Sequence, residues 1–400
     1  MNKPLRIGIV SPRFGPRVYG GAEIHARELA RLLTTMGHAV DVVTTTADDA
    51  NTWLPGAPSG SRQEDGYTVR RFDPMPRHWL RYDRNVRTLE TGTISAEELD
   101  QLDEDLGKSP ELLDYLRTHR DKRDWWVFIP YLFSPTVDGL PLVDRSILIP
   151  CLHDESLARR PKVARVFETA SHVWYNTLEE AELGQRLFGR QGDVVGLGFQ
   201  APATPMADLV DVRRVLNLPP RYLLYMGRLE SGKGLGILLA WYTAYRKVVP
   251  CYEEPATLVV AGSGEWRGQW PDGVKVLASV NEPTKWALYS GALAYCLPSI
   301  VESLSISIMD AWLMKTPVLV RAGSPVTCGH IRRSGGGFVV ESAEMFAGAV
   351  TALDRMPGLR DSLARHGHDY VRREYSWDSF EQRVRQALKV AVAEDSIDAH

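Results

Sequence analysis

The chain has 400 residues, too many for one ordinary core, and at roughly 150 residues per domain two to three domains are expected. Hydrophobic residues make up 44% and charged residues 24%, a balance that excludes a disordered chain. The formal net charge of −3 lacks the basic surplus that nucleic-acid binding needs, so no nucleic-acid partner is expected.

The longest stretch without a charge, residues 286–301, is broken by Gly291 and Pro298 and is too short to span a bilayer. Met1 is followed by Asn-Lys-Pro and a strand-like run rather than an apolar signal segment. Cys151, Cys251, Cys296 and Cys328 lie far apart, with no CxxC and no zinc spacing, and read as small buried hydrophobes in a reducing cytosol. A cytoplasmic, multi-domain chain is predicted.

Arg6–Val10 (RIGIV) is a branched, uncharged run after its first residue and reads as a buried strand. A Gly- and Pro-rich loop ends in Tyr19-Gly20-Gly21. Residues 22–36 then place Ala26, Leu29, Ala30 and Leu33 three and four apart, a helix packed on a sheet, with Gly37 at its stop. Residues 40–44 form the next strand, completing a parallel unit with a right-handed crossover. Further strands are predicted at 67–72, 125–129, 146–150 and 172–175, and a helix at 178–188. Residues 72–124 lose the alternation, apart from helical pieces near 96–102 and 111–118, and read as an insertion or lid.

Ala-Pro-Ala-Thr-Pro at 201–205 reads as a linker. Beyond it strands are predicted at 222–227, 257–261, 293–297 and 317–320, alternating with helices at 234–249, 282–290, 304–314 and 343–353. The final segment, 376–392, carries Trp377, Phe380, Val384 and Leu388 at helical spacing. Two successive α/β halves suggest two similar domains facing across a cleft, with ligands at the carboxyl ends of the strands.

Four segments fall at such ends. Gly20-Gly21-Ala22-Glu23 precedes a helix, where close backbone approach and the helix start favour a phosphate; a turn that merely starts a helix fits as well. In Met226-Gly227-Arg228-Leu229-Glu230-Ser231-Gly232-Lys233-Gly234, Arg228 and Lys233 can reach a diphosphate, or can be two solvated cations. In the segment Pro298 to Asp310, Glu302 ends a strand and Asp310 lies two turns on, about 12 Å along a helix. Two carboxylates without His or Cys partners suit hydroxyl recognition better than a transition metal, and an exposed helical Asp is the plainer alternative. Pro150-Cys151-Leu152-His153-Asp154-Glu155 places His153 at the end of a buried strand, where a histidine is often structural.

In this order and at these intervals, the motifs resemble the retaining glycosyltransferases of family 4. They are Gly-Gly-Ala-Glu, Gly-Arg-Leu-x3-Lys-Gly, Ala-Gly-Ser-Gly-Glu at 261–265, and Glu302-x7-Asp310 followed by Ala-Trp-x3-Thr-Pro-Val. The resemblance runs almost end to end and implies the GT-B fold of two facing Rossmann-like domains: an acceptor domain at 1–200, a donor domain at 201–375, and a helix at 376–400 crossing back. It implies a sugar moving with retention from a UDP- or GDP-sugar to a hydroxyl acceptor: a glycan, a glycolipid or a small-molecule glycoside. No metal and no cofactor are implied.

By that resemblance Arg228 and Lys233 hold the diphosphate, and Glu302 binds sugar hydroxyls. Leu304, Ser305 and Ile306 offer backbone donors to the phosphates, and Ser303 is a further donor-binding residue. Asp310, where the family usually has Glu, binds the ribose. The base lies near Gly262, Gly264 and the Ser279–Val280 turn, Gly21 approaches the diphosphate from the other domain, Gly20 and Gly227 are further donor-binding residues, and His153 sits beside the reacting sugar. The alternative is a nucleotide-sugar-binding paralogue without catalysis, kept open by Asp310. A dinucleotide-dependent oxidoreductase ranks third, because neither half has the GxGxxG spacing.

The stretch from Arg70 to Arg87 also carries Arg71, Arg77, Arg81 and Arg84 among Trp79, Leu80 and Tyr82. Weak peripheral contact with a membrane is the minor expectation. A solvated face balanced by Glu64, Asp65, Asp73 and Asp83 is the major one.

Overall fold

The structure is a computed structural model that describes residues 4–398 except 19, 204, 251, 252 and 279. It contains two compact units. One comprises the chain up to Leu197 and again from Phe380, and the other is Gly198–Ser379.

The first unit is built on β1 (Arg6–Val10), β2 (Ala39–Thr45), β3 (Gly60–Glu64), β4 (Tyr67–Phe72), β5 (Trp125–Phe128), β6 (Ser146–Leu148), β7 (His172–Tyr175) and β8 (Asp193–Val194). They form one sheet in the order β3-β4-β2-β1-β5-β6-β7-β8. All neighbours are parallel except the β3–β4 pair. Ile7, Ile9 and Val10 are fully buried in the middle of this sheet, which is why the run is apolar without alternation.

The edge hairpin was not expected. Gly60–Glu64 is polar and exposed, so no hydrophobic pattern marks it. The available signal is Asp65-Gly66, which closes the hairpin with φ of 47° and 86° and pairs Glu64 with Tyr67.

The helices of this unit are α1 (Gly21–Thr35), α2 (Trp79–Glu90), α3 (Ala96–Glu104), α4 (Pro110–Thr118), α5 (Ser134–Val137), α6 (Pro161–Thr169) and α7 (Leu178–Phe188). Thus the segment between β4 and β5 is three helices and no sheet. Leu102 and Leu106 pack with Leu157 into a small core, and the buried Arg160 guanidinium pairs with Asp103.

The second unit has β9 (Tyr222–Met226), β10 (Thr257–Ala261), β11 (Val274–Leu277), β12 (Ala294–Leu297), β13 (Val318–Arg321) and β14 (Gly337–Val340). They form a wholly parallel sheet in the order β11-β10-β9-β12-β13-β14. Its helices are α8 (Met206–Val215), α9 (Leu235–Val248), α10 (Glu282–Gly291), α11 (Ile306–Leu313), α12 (Pro325–Ser334), α13 (Ala343–Arg355) and α14 (Pro357–Glu374). A core of Leu223, Leu238, Tyr242, Leu258, Val260 and Val350 joins α9 and α13 to the sheet. The α11 helix starts two residues later than the apolar run, because Ser305 adopts a left-handed conformation at φ 68°.

The last helix, α15 (Trp377–Asp398), buries Phe380, Val384 and Leu388 completely. Within the first unit, Phe380 meets His25 edge-on, and Arg383 Nε donates to Val195 O at 2.7 Å.

In both sheets the chain winds outward in one direction and then returns to the middle. The reversal lies between β1 and β5 in the first unit and between β9 and β12 in the second. Loops leaving the carboxyl ends of two such strands diverge, and that divergence makes the crevice in which open α/β sheets bind ligands.

Candidate functional site

At the second unit's switch point, three loops lock together. Gly227 N donates to Ala261 O at 3.1 Å and Leu229 N to Ser263 O at 2.8 Å, joining the loops after β9 and β10. Gly262 sits at φ 151°, and a Cβ there would lie 1.8 Å from Gly227 O, so the approach requires glycine. At Gly234 (φ 75°) a Cβ would lie 2.5 Å from Pro298 O, which presses the start of α9 against the loop after β12. Two buried tyrosines brace the β9 loop from beneath. Tyr225 donates to Arg228 O at 2.7 Å and Tyr295 to Met226 O at 3.1 Å, and burial pushes both hydroxyls up, so they remain donors.

This frame brings Lys233 and Glu302 together, 69 residues apart in the chain. Lys233 Nζ donates to Glu302 Oε1 at 3.1 Å, and the side chains are only 28% and 13% exposed. Lys233 is therefore not a solvated cation. Arg228 is: it is 62% exposed and pairs with Glu230 at 3.0 Å. A concavity of about 380 Å³ lies beside the pair, lined by Gly232, Gly234, Pro298, Ile300, Val301 and Arg321 among others.

Asp310, on the second turn of α11, is 7% exposed rather than a surface residue. Burial pushes its carboxyl up from the usual range, and Lys285 pulls against that shift from 3.3 Å. Lys285 also pairs with Glu282 at 3.1 Å and lies 4.2 Å over the Trp286 ring. Burial works against its charge, yet Asp310 and Glu282 together hold its ammonium above the usual value. No sequence signal ties position 285 to 310; only the packing of α10 on α11 does.

The two carboxylates eight residues apart thus answer two different cations. Between them, Ser303 is half-buried, Leu304 and Ser305 are buried, and Ile306 opens α11. The Ser305 hydroxyl is buried with no hydrogen-bond partner. Gly264 is an exposed turn residue at φ 109°, Val280 is half-buried, and Ser279 lies outside the described residues. Among the described residues, no group of three or more His, Cys, Asp or Glu could hold a metal ion.

In the first unit, Gly20 precedes α1 and accepts from Ile24 N at 2.9 Å, while Gly21 is exposed and Tyr19 lies outside the described residues. The buried Glu23 carboxylate folds back beneath Gly20, where a Cβ would come within 2.1 Å of it, and it pairs with Arg13. This helix start therefore already carries one carboxylate matched to one guanidinium.

His153 follows β6. Its Nδ1 lies 3.7 Å from Glu155 Oε1, which accepts from Tyr131 Oη at 2.5 Å. The loop is pinned by Glu180, a buried residue of α7 that sequence reasoning missed. Its two oxygens accept from Leu152 N and Asn176 N, each at 2.5 Å. Burial pushes this carboxyl up to about 8, against the pull of those two bonds. The signal was Thr177-x-x-Glu180, a capping box pattern, and Thr177 does accept from Glu180 N at 3.1 Å.

The arginines from 70 to 87 are individually answered. Arg70 donates to Ser61 Oγ at 2.8 Å, Arg71 to Glu64 at 2.7 Å, Arg77 to Asp105 O at 2.8 Å and Arg81 to Asp105 Oδ2 at 2.8 Å. Arg84 donates to Asn85 Oδ1 at 3.2 Å and Arg87 pairs with Asp83 at 2.8 Å. Of the acids weighed as partners, Glu64 and Asp83 serve, whereas Asp73 accepts from Thr46. Among the described residues no helix is long and apolar enough to cross a membrane. Cys151, Cys296 and Cys328 are free thiols, and Cys251 lies outside the described residues.

Residues 211–370 match the family model of glycosyl transferases group 1. An uncharacterized glycosyltransferase of Methanocaldococcus jannaschii is 23% identical over 97% of this chain and 99% of its own length. The phosphatidyl-myo-inositol mannosyltransferase of Mycobacterium leprae is 23% identical over 98% of each. Among solved structures, sucrose-phosphate synthase of Thermosynechococcus elongatus superposes with a TM-score of 0.73 at 18% identity, over 98% of this chain and 100% of that one. Anabaena HepE in complex with UDP-glucose gives 0.68 at 17% identity, over 96% and 100%. The fold is GT-B, and the likeness of the chain, in family model and full-length relatives alike, is to glycosyltransferases.

Proposed function

We propose that the protein is a retaining glycosyltransferase of family 4 that transfers a sugar from a UDP- or GDP-sugar to a hydroxyl acceptor without a metal ion. The observation that carries this is the Lys233–Glu302 pair across the β9–β12 switch point. A cation and a carboxylate held by each other rather than by solvent are the opposite partners that a donor's phosphates and sugar hydroxyls call for, which supports this reading. Because both side chains are already ordered, less rotamer entropy is lost on binding.

Lys233 and Arg228 neutralise the departing diphosphate, and Glu302 accepts hydrogen bonds from the sugar. Backbone donors at 303–306 meet the phosphates, and Asp310 accepts from the ribose. The bond from the anomeric carbon to the diphosphate oxygen breaks, the acceptor oxygen bonds to that carbon on the same face, and its proton passes to a phosphate oxygen. The protein contributes positioning and charge stabilisation. The UDP-glucose complex of Anabaena HepE supports a nucleotide-sugar donor, and the mannosyltransferase relative supports a hydroxyl acceptor.

One observation favours a binding protein without turnover: Asp310, shorter than the family's usual Glu, is already engaged by Lys285. The deciding experiment incubates the protein with UDP- and GDP-sugars and a panel of polyol and glycoside acceptors. Nucleoside diphosphate release should accompany a product whose anomeric configuration, read by NMR, matches the donor's. An inverted product would remove the retaining assignment. Tight donor binding with no release, even to water, would favour the second reading.

A further inference from the structure

His330 lies in α12 and is fully buried. Its Nε2 is 3.0 Å from Leu304 O, and its Nδ1 is 3.0 Å from Tyr370 Oη on α14. A carbonyl only accepts, so Nε2 carries the ring proton and Nδ1 must accept from the tyrosine. Arg333 Nε donates to the Tyr370 oxygen at 3.2 Å, and a guanidinium cannot accept, so the tyrosine's own proton is left for the histidine. The bonds therefore run in one direction, from Arg333 through Tyr370 and His330 to Leu304. Burial, with Arg333 adding to it, pushes the imidazole down to about 3, so the ring carries one proton at neutral pH and its tautomer is set.

The carbonyl held in this way belongs to the peptide that enters Ser305. A trans peptide points its C=O and the following N–H in opposite directions. Tying Leu304 O to α12 thus turns Ser305 N–H away from α12. Ser305 itself stands at φ 68° and ψ 75°, a conformation an L residue adopts only when its surroundings enforce it. Its hydroxyl is buried without a partner, at the start of a helix whose first N–H groups have no acceptor within the helix. An orphaned hydroxyl at a strained turn, three residues from Glu302, is what an oxyanion would satisfy.

We propose that His330, locked by Tyr370 and Arg333, is a positioning residue for the donor's diphosphate: it orients the Leu304–Ser305 peptide so that Ser305 N–H and Oγ face the phosphates. This rests on the assignment of loop 303–306 to the phosphates. Packing alone gives a different expectation, since His330 also meets Trp312 and Tyr375 edge-on at centroid distances of 6.4 and 5.6 Å. A packing role needs the ring and not the proton.

The test uses the full chain and calorimetric titration with UDP and GDP, and with uridine and guanosine as phosphate-free controls. Tyr370→Phe keeps the ring and removes the relay, His330→Phe keeps the bulk and removes the proton, and His330→Gln restores a donor toward Leu304. Tyr370→Phe and His330→Phe should weaken the preferred diphosphate about tenfold or more and leave its nucleoside unchanged, and His330→Gln should recover most of the loss. Equal weakening of diphosphate and nucleoside, or no change in either, overturns the proposal. A wild type that binds no better with the diphosphate than without it overturns the phosphate loop itself, and the proposal with it. Should His330→Phe fail to fold, Tyr370→Phe with Ser305→Ala decides alone: both must lose diphosphate affinity selectively.

Discussion

Lys285 Nζ stands 3.3 Å from Asp310 Oδ2, so the buried carboxylate on α11 is neutralised from α10. A carboxylate this far from water is costly without a partner, and Lys285 supplies one from a helix that is itself anchored by its Asn281 cap on Thr284 N at 3.0 Å. The Asp310 oxygens are therefore aligned before any ligand arrives, with burial raising the carboxyl and Lys285 opposing that rise.

Removing the cation should leave Asp310 unpaired. Lys285→Met is expected to destabilise the fold by roughly 1–3 kcal/mol, toward the low end because Lys285 retains some solvent contact. Lys285→Met with Asp310→Asn should be less destabilised than Lys285→Met alone, since no buried charge is then orphaned. Urea unfolding of these two variants and of Asp310→Asn alone checks this, and strictly additive losses would show that the pair does not couple.

The Lys233–Glu302 pair makes a different demand. Lys233→Ala should lower kcat on the order of 10²-fold or more, because the departing diphosphate loses a preorganised charge, while the fold survives. Turnover should also persist in excess chelator. Near-normal kcat in the variant would take Lys233 out of the mechanism, and activity lost to chelator but restored by magnesium or manganese would show that a metal neutralises the diphosphate instead.

Glu180 ties stability to pH. Its carboxyl is pushed from about 4.5 to about 8 by burial, so the folded chain binds the proton more tightly than the unfolded one. Stability therefore falls as pH rises between those values. His25 and His330, depressed to about 4 and about 3 from 6.5, act in the opposite sense: stability rises with pH up to 6.5. The window that isolates Glu180 is pH 6.5 to 8, where the wild type should lose up to about 2 kcal/mol that Glu180→Gln does not. Parallel stability curves for the two proteins would refute the assignment.

What the sequence makes legible follows burial. Residues 7–10 and 258–261 are covered on both faces, and their apolar runs read as strands at once. Gly60–Glu64 is an exposed edge, and only Asp65-Gly66 marks it. Lys233 and Glu302 stand out because each follows a strand and precedes a helix. Lys285 and His330 do not, because their partners at 310 and 304 are brought to them by helix packing rather than by spacing, and Thr177-x-x-Glu180 marks a helix start without revealing the bond from Leu152 N. A lone Lys, Glu or His on an amphipathic helix looks the same whether it faces water or a buried carbonyl.

The two carboxylates give the sharpest separation between an enzyme and a binding protein. Glu302 is assigned to the sugar, so Glu302→Gln, which keeps an acceptor for Lys233, should sharply lower transfer yet leave binding of the bare nucleoside diphosphate nearly unchanged. Asp310 is assigned to the ribose, so Asp310→Ala should weaken the bare nucleotide roughly 10- to 150-fold, the cost of about 1.5–3 kcal/mol for a lost bond to a charged group. Lys285 keeps Glu282 as a partner at 3.1 Å, so Asp310→Ala leaves that cation paired and the loss reports on the ligand. Calorimetric titration with UDP and GDP must therefore separate the two variants. If both weaken equally, or neither does, the division of labour between Glu302 and Asp310 is wrong. Asp310→Glu then discriminates further: the added methylene should tighten the nucleotide if Asp310 reaches the ribose across a gap. It should weaken the fold instead if the space beside Lys285 is already filled.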